Sequence, residues 1–305
     1  MDLTSDTHRD FVRTISKNNK KLFTATGLHS SKLLDAMVDN FNEIAPDNPR
    51  QKMAMDTDTK HRIILTMMKI KLSLSFSCLA LLFDINIETS CNYFYDNIEI
   101  LAKIMRCMVF FPGKEEILKN MPKCFAKYRD TRVVLDAFEV PIEKFKCLKC
   151  RVRSHSEYKK GFTPKFQMTV APFGLITHIS RCFGGRVSDK VVTAGSGIYQ
   201  KCDPLDGVMV DKGYNIDDEC QHYMLKIIRP PFLKTKRVFT RAEAVECAKV
   251  ARARVHVERV IQRVREYKIL KNKVEGSIRP YLDDIYVIVT ALVNLGKPVL
   301  ADDKF

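Results

Sequence analysis

A chain of 305 residues that is 46% hydrophobic and 29% charged can bury one large core or two ordinary ones, which excludes a disordered protein. Lysine and arginine exceed aspartate and glutamate to give a net charge of +15, a balance that favours polyanions: nucleic acid first, acidic membranes or proteins second. The longest apolar runs, SCLALLF and IYVIVTALVNL, are too short to span a membrane, and the N-terminal MDLTSDTHRDFVRTISKNNKKL has no hydrophobic core of a secretory signal.

Residues 1–55 read as a polar extension with one amphipathic helix near Ser31–Ile44. Residues 56–128 read as a helical domain. HRIILTMMKIKL forms one helix, SFSCLALLF a short second helix with Ser75 as its N-cap, DIN a turn, and IETSCNYFYDNIEILAKIM a third helix. Short helix, tight turn and longer helix make a helix-turn-helix, whose last helix can enter a major groove. That last helix carries Glu88, Asp96 and Glu99 and no basic residue before Lys103, so an ordinary three-helix packing unit remains an equal reading.

From residue 129 the period changes to that of strands. RVVLDAF is a strand, and PKFQMTVAPFGLITHISRCF gives two more joined by a turn at Pro172-Phe173-Gly174. SDKVVTAGSGIYQKC opens a helix at Ser188, GVMV is a short buried strand, a helix follows over 216–224, and KIIRP is a further strand. The long helix TRAEAVECAKVARARVHVERVIQRVREYKIL starts with a capping box, Thr240 with Glu243, and its apolar stripe runs through Val250, Ala253, Val257, Val260 and Val264. The order predicts a mixed five-stranded sheet with helices on its faces.

Ten cysteines are scattered without framework spacing. Cys147 and Cys150 form a lone C-x-x-C with no second pair to complete a zinc site, so reduced thiols in an intracellular protein are expected. Basic residues gather at 144–160, including Lys159 and Lys160, at LKTKR (233–237) and across 252–273, and are read as a phosphate-binding surface.

Three acids stand out. Asp136 interrupts the first strand after VVL, Asp211 ends the short strand in VMVDKGYN, and Glu258 follows one position beside the stripe of the long helix, where it is expected to point along the helix–sheet boundary. Each has an ordinary alternative. Either aspartate can close a hydrogen bond at a strand end or turn, and Glu258 has Arg254 four residues back at helix ion-pair spacing. Both aspartates, however, follow a buried apolar run. If the two strands are neighbours, the acids stand side by side and need a cation, for which hard oxygen ligands suit Mg²⁺ or Mn²⁺. Two such ions can activate a water or a 3′-hydroxyl in phosphodiester cleavage and transfer.

The segments VVLDAFEVPIEK, SEYKKGFTPKFQMTVAPFGLITHIS, FGGRVSDKVVT, GVMVDKGYNI and ARVHVERVIQRVREYKIL, in that order over residues 130–295, resemble the DDE-superfamily endonuclease domain. The closest likeness is to Harbinger-like transposases of animals, including forms that carry a THAP zinc finger, and LFTATGL with the helix-turn-helix resembles the segment preceding that domain. The resemblance implies an RNase H-like fold over 129–305 and a catalytic, metal-binding triad of Asp136, Asp211 and Glu258. Asp189 is implied as a loop-structuring acid behind the triad, and Lys159 and Lys160 are expected as DNA contacts. It further implies a nuclear DNA endonuclease or transposase using Mg²⁺ or Mn²⁺, with DNA as partner, a homo-oligomeric form, and no membrane. No THAP-like cysteine–histidine pattern appears at the N-terminus, so a separate DNA-targeting partner is expected, and a domesticated, non-catalytic DNA- or chromatin-binding protein is the alternative.

Overall fold

The computed structural model describes residues 11–45, 59–231 and 240–299, so the basic run at 233–237 lies outside the described residues. By packing, the chain divides into two compact units, Met1–Met108 with Val264–Gly296 and Val109–Arg263 with Lys297–Phe305. Segment Val264–Gly296 therefore groups with the helical unit, whereas the sequence boundary at 129 runs it with the strands that precede it.

In the first unit, helices α1 (Asn19–Thr26) and α2 (Ser31–Ile44) precede α3 (Thr59–Leu72), α4 (Phe76–Phe83) and α5 (Ile87–Met105). The short helix starts where expected: Ser75 accepts a hydrogen bond from the Cys78 N–H at 3.1 Å. Asp84, left-handed at φ 50°, ends α4, and Asn86 caps α5 by accepting from the Thr89 N–H at 2.6 Å. Polar groups fix the interior as well as apolar ones. Lys69, fully buried on α3, donates to the Leu74 carbonyl at 2.7 Å and sits 4.4 Å from the centre of the Phe76 ring. Arg62 donates to Asn97 of α5 at 3.1 Å. On the outer face of α5, Glu99 pairs with Lys103 at 3.0 Å and Glu88 is exposed.

The second unit is built on a mixed sheet. Its strands are β1 (Thr131–Glu139), β4 (Pro164–Val170), β5 (Ile176–Ile179), β6 (Phe183–Gly184), β7 (Gly207–Met209) and β8 (Lys226–Ile228), and β2 (His155–Ser156) pairs with β3 (Gly161–Phe162) in a separate hairpin. The order is β5-β4-β1-β7-β8, with β6 attached to β4. β4 and β5 run antiparallel beside β1, and β7 and β8 run parallel to it. This is the expected RNase H-like arrangement with one more strand than the five expected. β6 has two residues, too few to show an alternating pattern.

The turn between β4 and β5 places Gly174 at φ 93°, a conformation that favours glycine. Besides a short helix at Lys114–Lys119, the unit holds helices α6 (Leu148–Ser154), α7 (Asp189–Ser196), α8 (Asp217–His222) and nearly all of α9 (Arg241–Arg265). Ser188 caps α7, accepting from the Val191 N–H, and Thr240 with Glu243 forms the reciprocal box at the start of α9. Alternate residues of β1 and β7 face opposite sides. Val133, Leu135, Val208 and Val210 join Tyr199, Tyr214 and Ile216 in one core, and Val134, Asp136 and Met209 face the other way. Among the described residues no helix is long and apolar enough to cross a membrane.

Candidate active site

The central strand and its parallel neighbour set the site. Val134 of β1 pairs with Met209 of β7, and Asp136 and Asp211 each follow two residues after this last pair. Asp211 lies just past the end of its strand, where parallel sheets present their ligand-binding edge. Each carboxylate is steadied by the N–H of the next residue: Ala137 donates to Asp136 Oδ1 at 2.8 Å, and Lys212 donates to Asp211 Oδ1 at 2.7 Å. Neither contact uses an Oδ2 oxygen.

Both acids meet one cation. Arg254 of α9 donates through Nη1 to Asp211 Oδ1 at 2.8 Å, and its Nη2 lies 4.0 Å from Asp136 Oδ2. The arginine side chain is 10% exposed, Asp136 24% and Asp211 58%, so the inner half of the cluster is largely desolvated. Burial is the main cause that lifts the Asp136 carboxyl to about 6; Arg254 opposes the rise, and the Asp211 and Asp189 charges add to it.

Glu258 is placed differently from the expectation. It is exposed on α9 rather than aligned along the helix–sheet boundary, because the neighbouring stripe residue Val257 takes the inward direction. Its i−4 neighbour Arg254 reaches across to the aspartates instead. Among the described residues no three His, Cys, Asp or Glu side chains converge closely enough to hold a metal ion. Asp136 and Asp211 by themselves offer the donor type that suits a hard divalent cation: two carboxylates that meet one guanidinium, each fixed through Oδ1 by a backbone N–H, with Asp136 holding its proton more readily than usual because it is buried.

Asp189 opens α7 and accepts from Lys165 Nζ at 3.0 Å. The same ammonium donates to the Val187 carbonyl at 2.9 Å and stands 3.5 Å from Glu139 Oε1, on the sheet face opposite Asp136. Glu139 also accepts from Thr163 Oγ1 at 2.6 Å. Lys165 thus ties the loop before α7 to β4, and Asp189 acts in that tie. Lys159 and Lys160 occupy the exposed turn of the β2–β3 hairpin. Lys159 Nζ lies 4.7 Å from the Tyr158 ring centre, and Lys160 stands 3.7 Å from Glu157. Ser156, Glu157 and Tyr158 form one wall of a cleft of about 290 Å³ whose other walls include Lys165, Asp189, Gly213 and Asn215. The two lysines therefore directly follow in sequence a hairpin segment that lines this cleft, and Gly213, two residues beyond Asp211, lines it too. Gly213 is not in the left-handed region and a Cβ there would meet open space, so its turn does not demand glycine.

Sequence reasoning missed Arg254 as the partner of both aspartates, and it missed Lys165. The signal for Arg254 was a charged residue directly after the buried Ala253 of the stripe. It also missed Asp206, fully buried before β7 and held by Lys114 at 2.8 Å and Arg132 at 3.3 Å.

Two family models match the chain. One described as DDE superfamily endonuclease covers residues 135–294, and one described as helix-turn-helix of DDE superfamily endonuclease covers residues 58–107. No curated protein and no solved structure matches it.

Proposed function

The chain belongs to the DDE superfamily of endonucleases, and we propose that it is a transposase that cuts and transfers DNA strands at Asp136, Asp211 and Glu258. The observation that supports this most is that Asp136 on β1 and Asp211, just past the end of its parallel neighbour β7, meet the same guanidinium.

The residues divide the work as follows. The Ala137 and Lys212 N–H groups fix Oδ1 of each aspartate, so that the Oδ2 atoms would be the ones presented to a ligand. Glu258, one turn along α9 from Arg254, would complete the ligand set from the helix side. A divalent metal, the class of cofactor that the superfamily generally uses, supplies activation of the attacking oxygen and charge stabilisation of the leaving one. Lys159 and Lys160 would grip backbone phosphates beside the cleft. A Harbinger-like chain of this kind would act in the nucleus, as a homo-oligomer or beside a separate DNA-targeting partner.

A second reading, a transposase-derived protein that binds DNA without cutting it, draws on the Arg254 contact, which offsets part of the aspartates' charge without a metal. Incubation with supercoiled plasmid in Mg²⁺ or Mn²⁺ separates the two. Nicked circles that vanish with chelator are expected. Tight DNA binding with no nicking in either metal overturns the enzymatic reading in favour of the second.

A further inference from the structure

Arg254 is an unusual presence between two acids assigned to a cation. Its guanidinium enters from α9, between Ala253 and Val257 of the buried stripe, and serves Asp211 directly and Asp136 at longer range. One positive charge faces two carboxylates, so the cluster keeps a net negative charge. The fork is also imperfectly used: Arg254 Nε is buried with no hydrogen-bond partner. A well-locked structural arginine would satisfy that N–H as well. Its stronger contact is with Asp211, the more exposed of the two acids, so the guanidinium sits toward the open side of the site.

A guanidinium 2.8 Å from Asp211 Oδ1 and a divalent ion on the same carboxylates would repel each other strongly across so short a distance. We propose that Arg254 is an internal counter-cation that holds Asp136 and Asp211 together in the metal-free protein and must withdraw for a divalent ion to load, so that it sets metal affinity. Arg254 is thus a positioning residue that acts through the two aspartates. The inference rests on the reading of Asp136 and Asp211 as metal ligands. It adds a competition between side chain and ion that the ligand set alone does not contain.

Calorimetric titration of the DNA-free full chain with Mn²⁺ tests it, with the Tm of the metal-free protein as second readout. Arg254→Gln is expected to bind Mn²⁺ about tenfold more tightly than wild type, within the range usual for coupling between two ligands, and to melt at lower temperature without metal. Arg254→Lys keeps a charge without the fork and is expected to fall between the two. A merely structural arginine would lower the melting temperature and weaken Mn²⁺ binding together. If Asp211→Asn abolishes Mn²⁺ binding while Arg254→Gln and Arg254→Lys bind no tighter than wild type, the counter-cation is overturned and the metal site stands. If Asp211→Asn leaves Mn²⁺ binding unchanged, the metal-site reading fails and the counter-cation fails with it. Should Arg254→Gln fail to fold, the Arg254→Lys titration decides alone: tighter binding supports the inference and equal or weaker binding overturns it.

Discussion

Asp136, on β1, and Asp211, just past the end of its parallel neighbour β7, share one guanidinium, yet only Asp136 is largely withdrawn from water. The two carboxylates therefore have different tasks in the metal-free protein. Asp136 carries the desolvation cost, and Asp211 carries the ion pair.

The cost at Asp136 predicts a pH dependence of stability. Its folded-state value, about 6, lies above the ordinary 3.8, so between these values the folded chain binds a proton that the unfolded chain has released. Stability then falls as pH rises through that window, by roughly 3 kcal/mol for a shift of this size, and is flat from this group outside it. Urea unfolding of the metal-free protein at pH 4 to 7 should show the decline, superimposed on other titrations, and Asp136→Asn should remove it. An unchanged slope in the variant contradicts the assignment.

The Glu139–Lys165–Asp189 tie makes a prediction about stability rather than chemistry. Lys165 and Glu139 are 9% and 6% exposed, so Lys165→Met strands a buried carboxylate and should cost about 3 kcal/mol in urea unfolding. Asp189, 39% exposed, contributes a weaker pair, and Asp189→Asn should cost below about 1 kcal/mol. Equal losses in both variants would mean that the tie is not organised around Lys165.

Much of this arrangement was legible in local pattern. The Ser75 and Ser188 caps, the Thr240–Glu243 box and the strands around Val134 and Val208 follow from short-range rules, because a cap or an alternation is decided within a few residues. Adjacency of β1 and β7 was not legible: two apolar runs ending in aspartate left it as a condition, which the parallel pairing of the two strands meets. Arg254 was not legible as the aspartates' partner. Its i+4 spacing to Glu258 is a local cue, and the partner that wins, Asp211, lies 43 residues away in sequence. The β2–β3 hairpin and β6 were missed because two-residue strands carry no period.

The hairpin turn predicts a change in salt dependence. If Lys159 and Lys160 each neutralise a phosphate, the double alanine variant should weaken binding to any duplex about equally. It should also reduce the magnitude of the slope of log K against log salt by about 2. Fluorescence anisotropy across a salt series measures both. An unchanged slope with unchanged affinity removes these lysines from the DNA path.

The most direct measurement is the rate of strand cleavage in a linear duplex that carries candidate inverted repeats, in Mg²⁺, for wild type beside Asp136→Asn, Asp211→Asn and Glu258→Gln. All four chains must be matched for folding by circular dichroism. Metal-dependent cutting by the wild type, with a loss of about a thousandfold in each aspartate variant, equivalent to about 4 kcal/mol of transition-state stabilisation, is the predicted result. A comparable loss in Glu258→Gln would make it the third ligand. Cutting by Asp136→Asn and Asp211→Asn at the wild-type rate would contradict the account.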